Sequence, residues 1–558
     1  MSLTTRTLTT RTLTRLLGVT SALALLAGLP LTAQAAPANP EAARTDRVEV
    51  SLDWAECPRT AALDFFPGVE PAPGVVCATA KVPLDYDEPE GATVELFVAK
   101  HPARNPEQRI GSLFVNPGGP GPEASYLALL AEMFYSEQVL DRFDIIAMDP
   151  RGTGLSTPVV CHPSTKTQQQ QGRGFASVIP LTPSEQADYL NSAKDIAKGC
   201  GKEGQPLASA MSTAQAARDM DVLRRAVGDD KLSYLGQSYG SYLGQVYANM
   251  FPDRVRALAI DGVLDPVAWA GTPGTAHEPM TLRLASAEGA WEELQAAFAW
   301  CPEGDAATCE ARAAERQATF DRVAERVKQK PVPFTDPWFG EVMVGYGLFI
   351  DMVHSALYAP DAPHQVAALL EAFDALTDQA ASSEETERAR ASAKAARTQA
   401  KEKQPRPRPH TMDGYDQLSM AHYVVLCTDS LNPKAQKDWA PAIAARGLDA
   451  PHFSAMWGWR SAPCASQFWT AIDEDAWRGP FTNHTSAPIL VVGNRYDPAT
   501  PYSGAVAASQ LLPNSVLLTV EMFGHMSYLS NTCATEAIED YLVSGTPSAT
   551  RVCAPDAG

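Results

Sequence analysis

Residues 232–244 are LSYLGQSYGSYLG, and the fold follows from how this stretch is built. LSYLG is an apolar run of strand length, and Gly236-Gln237-Ser238-Tyr239-Gly240 matches G-x-S-x-G. The next residues, SYLGQVYANM (241–250), suit a helix. Strand, sharp glycine-flanked turn and helix is the context in which this motif exposes a serine hydroxyl above the ends of parallel strands.

The same pattern extends in both directions. Upstream, GSLFV (111–115) runs into Asn116-Pro117-Gly118-Gly119-Pro120-Gly121, and FDIIAM (143–148) into Asp149-Pro150-Arg151-Gly152. Downstream, RALAI (256–260) runs into Asp261-Gly262, while PILVVG (488–493) and NSVLLTV (514–520) come near the end. Continuous apolar runs, as opposed to alternating ones, belong to strands covered on both faces, hence to a parallel sheet. Helical stretches such as 213–227 and 535–543 lie between or after them, which is an α/β alternation. From about 267 to 485 the pattern stops. That segment is rich in Ala, Glu and Trp, holds nine of the ten tryptophans, and predicts a helical cap inserted into the α/β domain. Within it, 379–403 is charged and Ala-rich and predicts an exposed helix, and QPRPRP (404–409) predicts a linker.

Composition narrows the function. The 558 residues carry 45 Lys and Arg against 65 Asp and Glu, a formal charge of −20. An acidic chain lacks the cationic face that nucleic acid and anionic membranes require. Residues 1–35 have the form of a secretory signal: Arg6, Arg11 and Arg15, an apolar run from Leu16 to Leu31, then Ala33-Gln34-Ala35. A pro-segment within 36–45 is compatible with the sequence. Removing the signal takes away three arginines and no acid, which brings the charge to −23. No later stretch is apolar enough to span a bilayer. All ten cysteines lie beyond the signal, none in a C-x-x-C pair, so disulfides are expected and a zinc site is not. Nearest-neighbour pairing gives Cys57–Cys77, Cys161–Cys200, Cys301–Cys309, Cys427–Cys464 and Cys533–Cys553.

Serine is a weak nucleophile at neutral pH and needs a base. With this motif the partners follow in the order Ser, Asp or Glu, His. His525, in Phe523-Gly524-His525-Met526 after the last strand, and Asp497, in NRYDPATP after the preceding strand, have the right positions. His484 precedes a strand, the wrong end for catalysis, and Asp149 is expected to hold its loop through Arg151. The oxyanion donors should be the N–H of Tyr239 and one from the early glycine loop. Pro117 and Pro120 have none to give, which leaves Gly118 or Gly119, with Gly119 favoured. NPGGPG lacks the Gly-Lys-Ser/Thr of a phosphate loop.

Together VPLDYDEP (82–89), NPGGPG, DPRGTGLS (149–156), GQSYGSYLG, LAIDGVLDP (258–266), Cys427-Thr428-Asp429 and the Asp497 and His525 turns resemble the secreted actinobacterial tripeptidyl aminopeptidases, α/β-hydrolases related to prolyl iminopeptidases. The resemblance spans most of residues 50–558 and is weakest through 270–410. Prolyl iminopeptidases carry His before Gly-Gly-Pro-Gly where this chain has Asn116-Pro117, which favours the tripeptidyl branch.

The resemblance implies an α/β-hydrolase core in two parts (36–266 and 486–558), a cap between them (267–485), and no metal or organic cofactor. It also implies a secreted serine exopeptidase that releases short peptides, tripeptides first, from free N-termini of peptides or proteins. An esterase, amidase or proline iminopeptidase-like hydrolase using the same triad is the alternative. A free ammonium end needs an acidic partner, and Asp429, Glu123 and Asp265 are candidates.

Overall fold

The alternation of side chains along each central strand decides the layers of the domain. In β3 (Gly111–Asn116) Phe114 joins one apolar core while Leu113 and Val115 join another on the opposite face. In β7 (Ile489–Asn494) Val491 and Leu490 divide in the same way. Strands buried on both sides must be covered by helices on both sides, and each fully buried Leu or Ile adds about 1.5–3 kcal/mol to that packing.

The computed structural model describes residues 39–58, 69–301, 305–336, 340–378, 411–412 and 415–556, with positions 387, 388 and 391. The expected signal at 1–35, and most of the expected helix and linker at 379–409, lie outside the described residues.

The remaining sheet strands are β1 (Val76–Pro83), β2 (Thr93–His101), β4 (Phe143–Met148), β5 (Leu232–Gln237), β6 (Val255–Asp261), β8 (Ser515–Val520) and β9 (Val552–Cys553). They are ordered β1-β2-β4-β3-β5-β6-β7-β8-β9. Only β2 runs against its neighbours, so the sheet is mostly parallel. This is the α/β-hydrolase fold, and β5, with the serine at its end, occupies the middle.

The helices that matter for the site are α1 (Thr213–Ala226), α2 (Tyr239–Met250), α3 (Ser286–Ala299), α4 (Tyr346–Leu357), α5 (Gln417–Asp429), α6 (Phe453–Gly458) and α7 (Thr532–Ser544). Four of the seven fall between Asp261 and Ile489, where the chain leaves the sheet for a largely helical insertion. The insertion also holds two short antiparallel pairings, 332–336 with 340–344 and 411–412 with 415–416, which its apolar pattern did not reveal. Its own core gathers Leu294, Phe320, Phe349, Phe373 and Phe453. Trp269, Val424, Trp469 and Phe481 instead join the core beneath the sheet, so the insertion is rooted in the main domain. Trp439 and Trp459 are buried in a smaller cluster that joins the insertion to Tyr189 and Ala193 of the main domain.

All five nearest-neighbour disulfides are present. Among the described residues no helix is long and apolar enough to cross a membrane.

One expectation is corrected. Arg151 does not hold Asp149; it forms a bidentate pair with Asp219 at 2.6 and 2.8 Å, wholly inside the protein. Asp149 instead accepts from the backbone N–H groups of Ala124, Ser125 and Leu155, tying the DPRGTG loop to the end of the glycine loop. Burial, and then the Glu123 carboxyl beside it, push Asp149 up to about 7 against those three donors. The folded protein therefore keeps a proton there that the unfolded chain releases near 3.8. This contribution to stability is complete below about pH 4 and is lost as pH rises through 7, at about 1.4 kcal/mol per pH unit. In Glu123→Gln the like charge is gone, and the fall in Tm between pH 5 and pH 8, read by scanning calorimetry, should be shallower than in the parent.

Candidate active site

Ser238 stands at the junction of β5 and α2, where the chain must reverse within one residue. Its φ of 55° and ψ of −122° lie in a region costly for a side-chain-bearing residue, the strained turn that lifts a hydroxyl above a sheet. The turn is fixed from β6: Ser238 N–H donates to the Asp261 carbonyl at 2.9 Å. A Cβ on the following Gly262, at φ +64°, would lie 3.2 Å from His525 Cε1. The serine turn and the imidazole thus meet neighbouring residues at the end of β6.

Asp497 and His525 follow β7 and β8, which are parallel neighbours. The His525 Nδ1–H donates to Asp497, 2.9 Å from Oδ2 and 3.0 Å from Oδ1. Both groups are buried, His525 with 8% of its surface exposed and Asp497 with 2%. Asp497 also accepts from the N–H groups of Ala499 and Thr500 and from the Thr500 hydroxyl. An imidazole held at Nδ1 by a carboxylate presents Nε2 as a base.

Four supports escaped the sequence reading. The Thr500 hydroxyl bridges Asp497 and lies 3.3 Å from His525 Nδ1; its position three residues after Asp497 was the available signal. The His525 N–H donates to the carbonyl of Tyr358, whose ring meets the imidazole edge-on at 5.1 Å. Glu293 of α3 accepts from Gly524 N–H; burial first, then Asp497, push its carboxyl well above the usual range. The Asp261 carboxylate receives Ser527 N–H and hydroxyl and Tyr528 N–H just beyond His525. Tyr358 and Glu293 belong to the insertion, and no local motif links them to the triad.

The glycine loop closes over Ser238. A Cβ on Gly118, at φ +103°, would come within 2.7 Å of Ser238 Cβ and 2.6 Å of the Gln237 carbonyl, so only glycine fits. Gly118 N–H is taken by Asn116 Oδ1 at 3.0 Å. Gly119 N–H has no acceptor among the described residues. Tyr239 N–H opens α2 directly after the serine. Its side chain points inward, with its hydroxyl 2.6 Å from Thr213 Oγ1.

The candidate ammonium partners come out differently. Asp429, 1% exposed, accepts from Thr213 N–H and hydroxyl and from Trp269 Nε1–H. Burial pushes it up to about 6 despite those donors. Asp429 is thus buried and hydrogen-bonded behind Tyr239, which meets the same Thr213 hydroxyl. Asp265 caps the helix Pro266–Ala270. Glu123 is buried beside Asp149 at the end of the glycine loop. Asp85, Asp87 and Asp475 are grouped closely enough for a cation, but Arg44 already binds Asp87 and Asp475 there.

Residues 111–280 match the family model described as alpha/beta hydrolase fold, and residues 450–553 match the one described as TAP-like protein. The tripeptidyl aminopeptidase of Streptomyces lividans is 29% identical, covering 92% of this chain and 88% of its own. Serine protease Hip1 of Mycobacterium tuberculosis is 26% identical, covering 89% of each. A Mycobacterium tuberculosis protein named carboxylesterase B is 30% identical, covering 95% of this chain and 96% of its own. With a serine on the strained turn after β5 and a buried Asp–His pair beyond β7 and β8, this chain belongs to the tripeptidyl-aminopeptidase-like family of α/β-hydrolases and is a serine hydrolase.

Proposed function

We propose that the protein is an exported serine exopeptidase that releases short peptides, tripeptides foremost, from the free N-termini of peptides and proteins. The observation that carries the mechanism is the buried Asp497–His525 pair at the ends of β7 and β8, with only β6 between β7 and the strand that leads to Ser238. Ser238 Oγ attacks the scissile carbonyl while His525 Nε2 takes its proton. The oxyanion is met by Tyr239 and Gly119 N–H, each such donor lowering the barrier by about 3–4 kcal/mol. The imidazolium, stabilised by Asp497, passes its proton to the leaving amine. Water, deprotonated by the same imidazole, then releases the peptide from Ser238.

Two relatives with peptidase names support this reading. The insertion reaches the catalytic groups, because Tyr358 and Glu293 bring it down to the His525 loop. Export is supported by the leader-like N-terminus and by five disulfides, which persist in oxidising compartments. The relative named carboxylesterase B favours a second reading, ester hydrolysis by the same residues.

Products from a mixed peptide library, read by mass spectrometry with N-acetylated controls and a butyrate ester, separate the two. Loss of three residues from free N-termini only is expected. Preference for blocked peptides or for the ester would overturn the exopeptidase reading.

A further inference from the structure

Arginines in the insertion of this acidic chain are bonded with care. Arg446 binds Glu278 and Glu288. Arg478 donates to the carbonyls of Thr428 and Asp429, and Arg316 to those of Ala297, Phe298 and Trp300. Arg460 departs from this rule. It follows α6 in the sequence Trp457-Gly458-Trp459-Arg460 and is half-buried. Its guanidinium lies over the Trp457 ring, 4.6 Å from the centroid. Among the described residues it meets no carboxylate and donates no hydrogen bond. Its nitrogens are not among the buried polar atoms that lack a partner, so its five donors stay open to solvent or to a bound group. Stacking on an indole holds the group flat and leaves its donor edge free.

A relay of ring contacts connects this cation to His525, and its charge reaches a histidine that packs on the glycine loop. Trp457 meets His354 edge-on at 5.4 Å, His354 meets Tyr358 at 5.1 Å, and Tyr358 meets His525 at 5.1 Å. The histidine on the loop is His422 of α5, whose Nδ1–H donates to the Pro120 carbonyl at 3.1 Å. That carbonyl belongs to the loop that carries Gly119, and the Gly121 backbone packs against Leu418 and His422. Burial chiefly, helped by the charge of Arg460, holds His422 down at about 4. The same charge reaches Tyr423 and Tyr189, whose hydroxyls burial keeps protonated. His422, Tyr423 and Tyr189 therefore bring no negative charge to Arg460 at pH 7.

We propose that Arg460 is a specificity residue of the substrate cleft, held open between the glycine loop and His525 to take a carboxylate carried by the substrate. The proposal rests on the reading of this cleft as a peptide site. A guanidinium offers a carboxylate two parallel N–H bonds, which an amide of the same shape cannot match. The carboxylate has two sources, an acidic side chain beside the scissile bond or the free C-terminus of a short peptide.

Matched tetrapeptides with free amino ends separate these sources. One pair has Glu or Gln beside the third peptide bond, and the other ends in a carboxylate or an amide. Binding is measured by calorimetry on Ser238→Ala protein with and without Arg460→Gln, so that no turnover is needed. With Arg460 present, one pair should show about tenfold tighter binding of the charged member, and Arg460→Gln should bring that ratio to about one. A preference in the Glu/Gln pair identifies a side chain; one in the other pair identifies a chain end. Equal binding within both pairs, or a ratio that survives Arg460→Gln, overturns the proposal.

Turnover of mono-p-nitrophenyl glutarate against the p-nitrophenyl pentanoate ester, in the active enzyme, gives the same ratio without a peptide. If these esters are cleaved and no free-amino peptide is, the exopeptidase reading fails while carboxylate selectivity is still read. If peptides are cleaved with no charge preference, only the role of Arg460 fails.

Discussion

Ser238→Ala should lower kcat/KM by at least about 10⁴-fold on any substrate the enzyme accepts, with the far-ultraviolet circular dichroism spectrum unchanged. The magnitude follows from the way a serine, a base and an orienting acid act as one unit. Without the hydroxyl, attack falls to water, and only the oxyanion donors and substrate binding remain to accelerate it. His525→Ala should cost about the same, because an unassisted hydroxyl is as poor a nucleophile as none. The double variant should then be no slower than either single one, since the second change removes a partner that already has nothing to do. Asp497→Asn should fall by about 10³–10⁴-fold: the ring keeps its position but loses the carboxylate that fixes its tautomer and stabilises the imidazolium. Steady-state kinetics on a tripeptide amide checks the series. Equal losses in kcat and kcat/KM are expected, since these interactions arise in the transition state.

Arg151→Met carries the largest expected loss of stability. Arg151 is 1% exposed and Asp219 is fully buried. The guanidinium also donates to the carbonyls of Pro83, Leu84 and Ala210, and the Tyr86 hydroxyl donates to Asp219 at 2.9 Å. Through these bonds one side chain joins β1, the DPRGTG loop and α1. Removing it leaves a buried carboxylate without its cation and three carbonyls without a donor, a cost of about 3–5 kcal/mol. Arg151→Met combined with Asp219→Leu should recover part of that loss, because the uncompensated charge is gone. Denaturant unfolding of the parent, both single variants and the double variant measures the coupling.

The sequence revealed what is local. Apolar runs followed by glycine turns identified the strands, and G-x-S-x-G in that setting identified the serine turn. The turns after β7 and β8 singled out the residues that now meet, Asp497 and His525. Disulfides were legible for the same reason, because the longest of them closes a separation of 39 residues. Contacts between distant elements were not legible. Glu293 reaches Gly524 across 231 positions, and His422 reaches Pro120 across 302. Nothing in the periodicity of α3 or α5 marks such a contact. Arg151 was assigned to the nearest acid in sequence, whereas the fold pairs it with Asp219, 68 positions away. Asp429 looked available because an acid in a cap can face a cleft, but its side chain turns inward to Thr213 and Trp269.

The central claim is that Ser238 is the nucleophile and that the Asp497–His525 pair activates it. Covalent trapping tests it without any assumption about the natural substrate. The protein is treated with diisopropyl phosphorofluoridate, weighed intact, digested and mapped. The account predicts one phosphoryl adduct per chain on the peptide that holds Ser238, none in Ser238→Ala, and much slower labelling in His525→Ala. An adduct on another residue, or labelling of the parent and the Ser238→Ala protein alike, would contradict it.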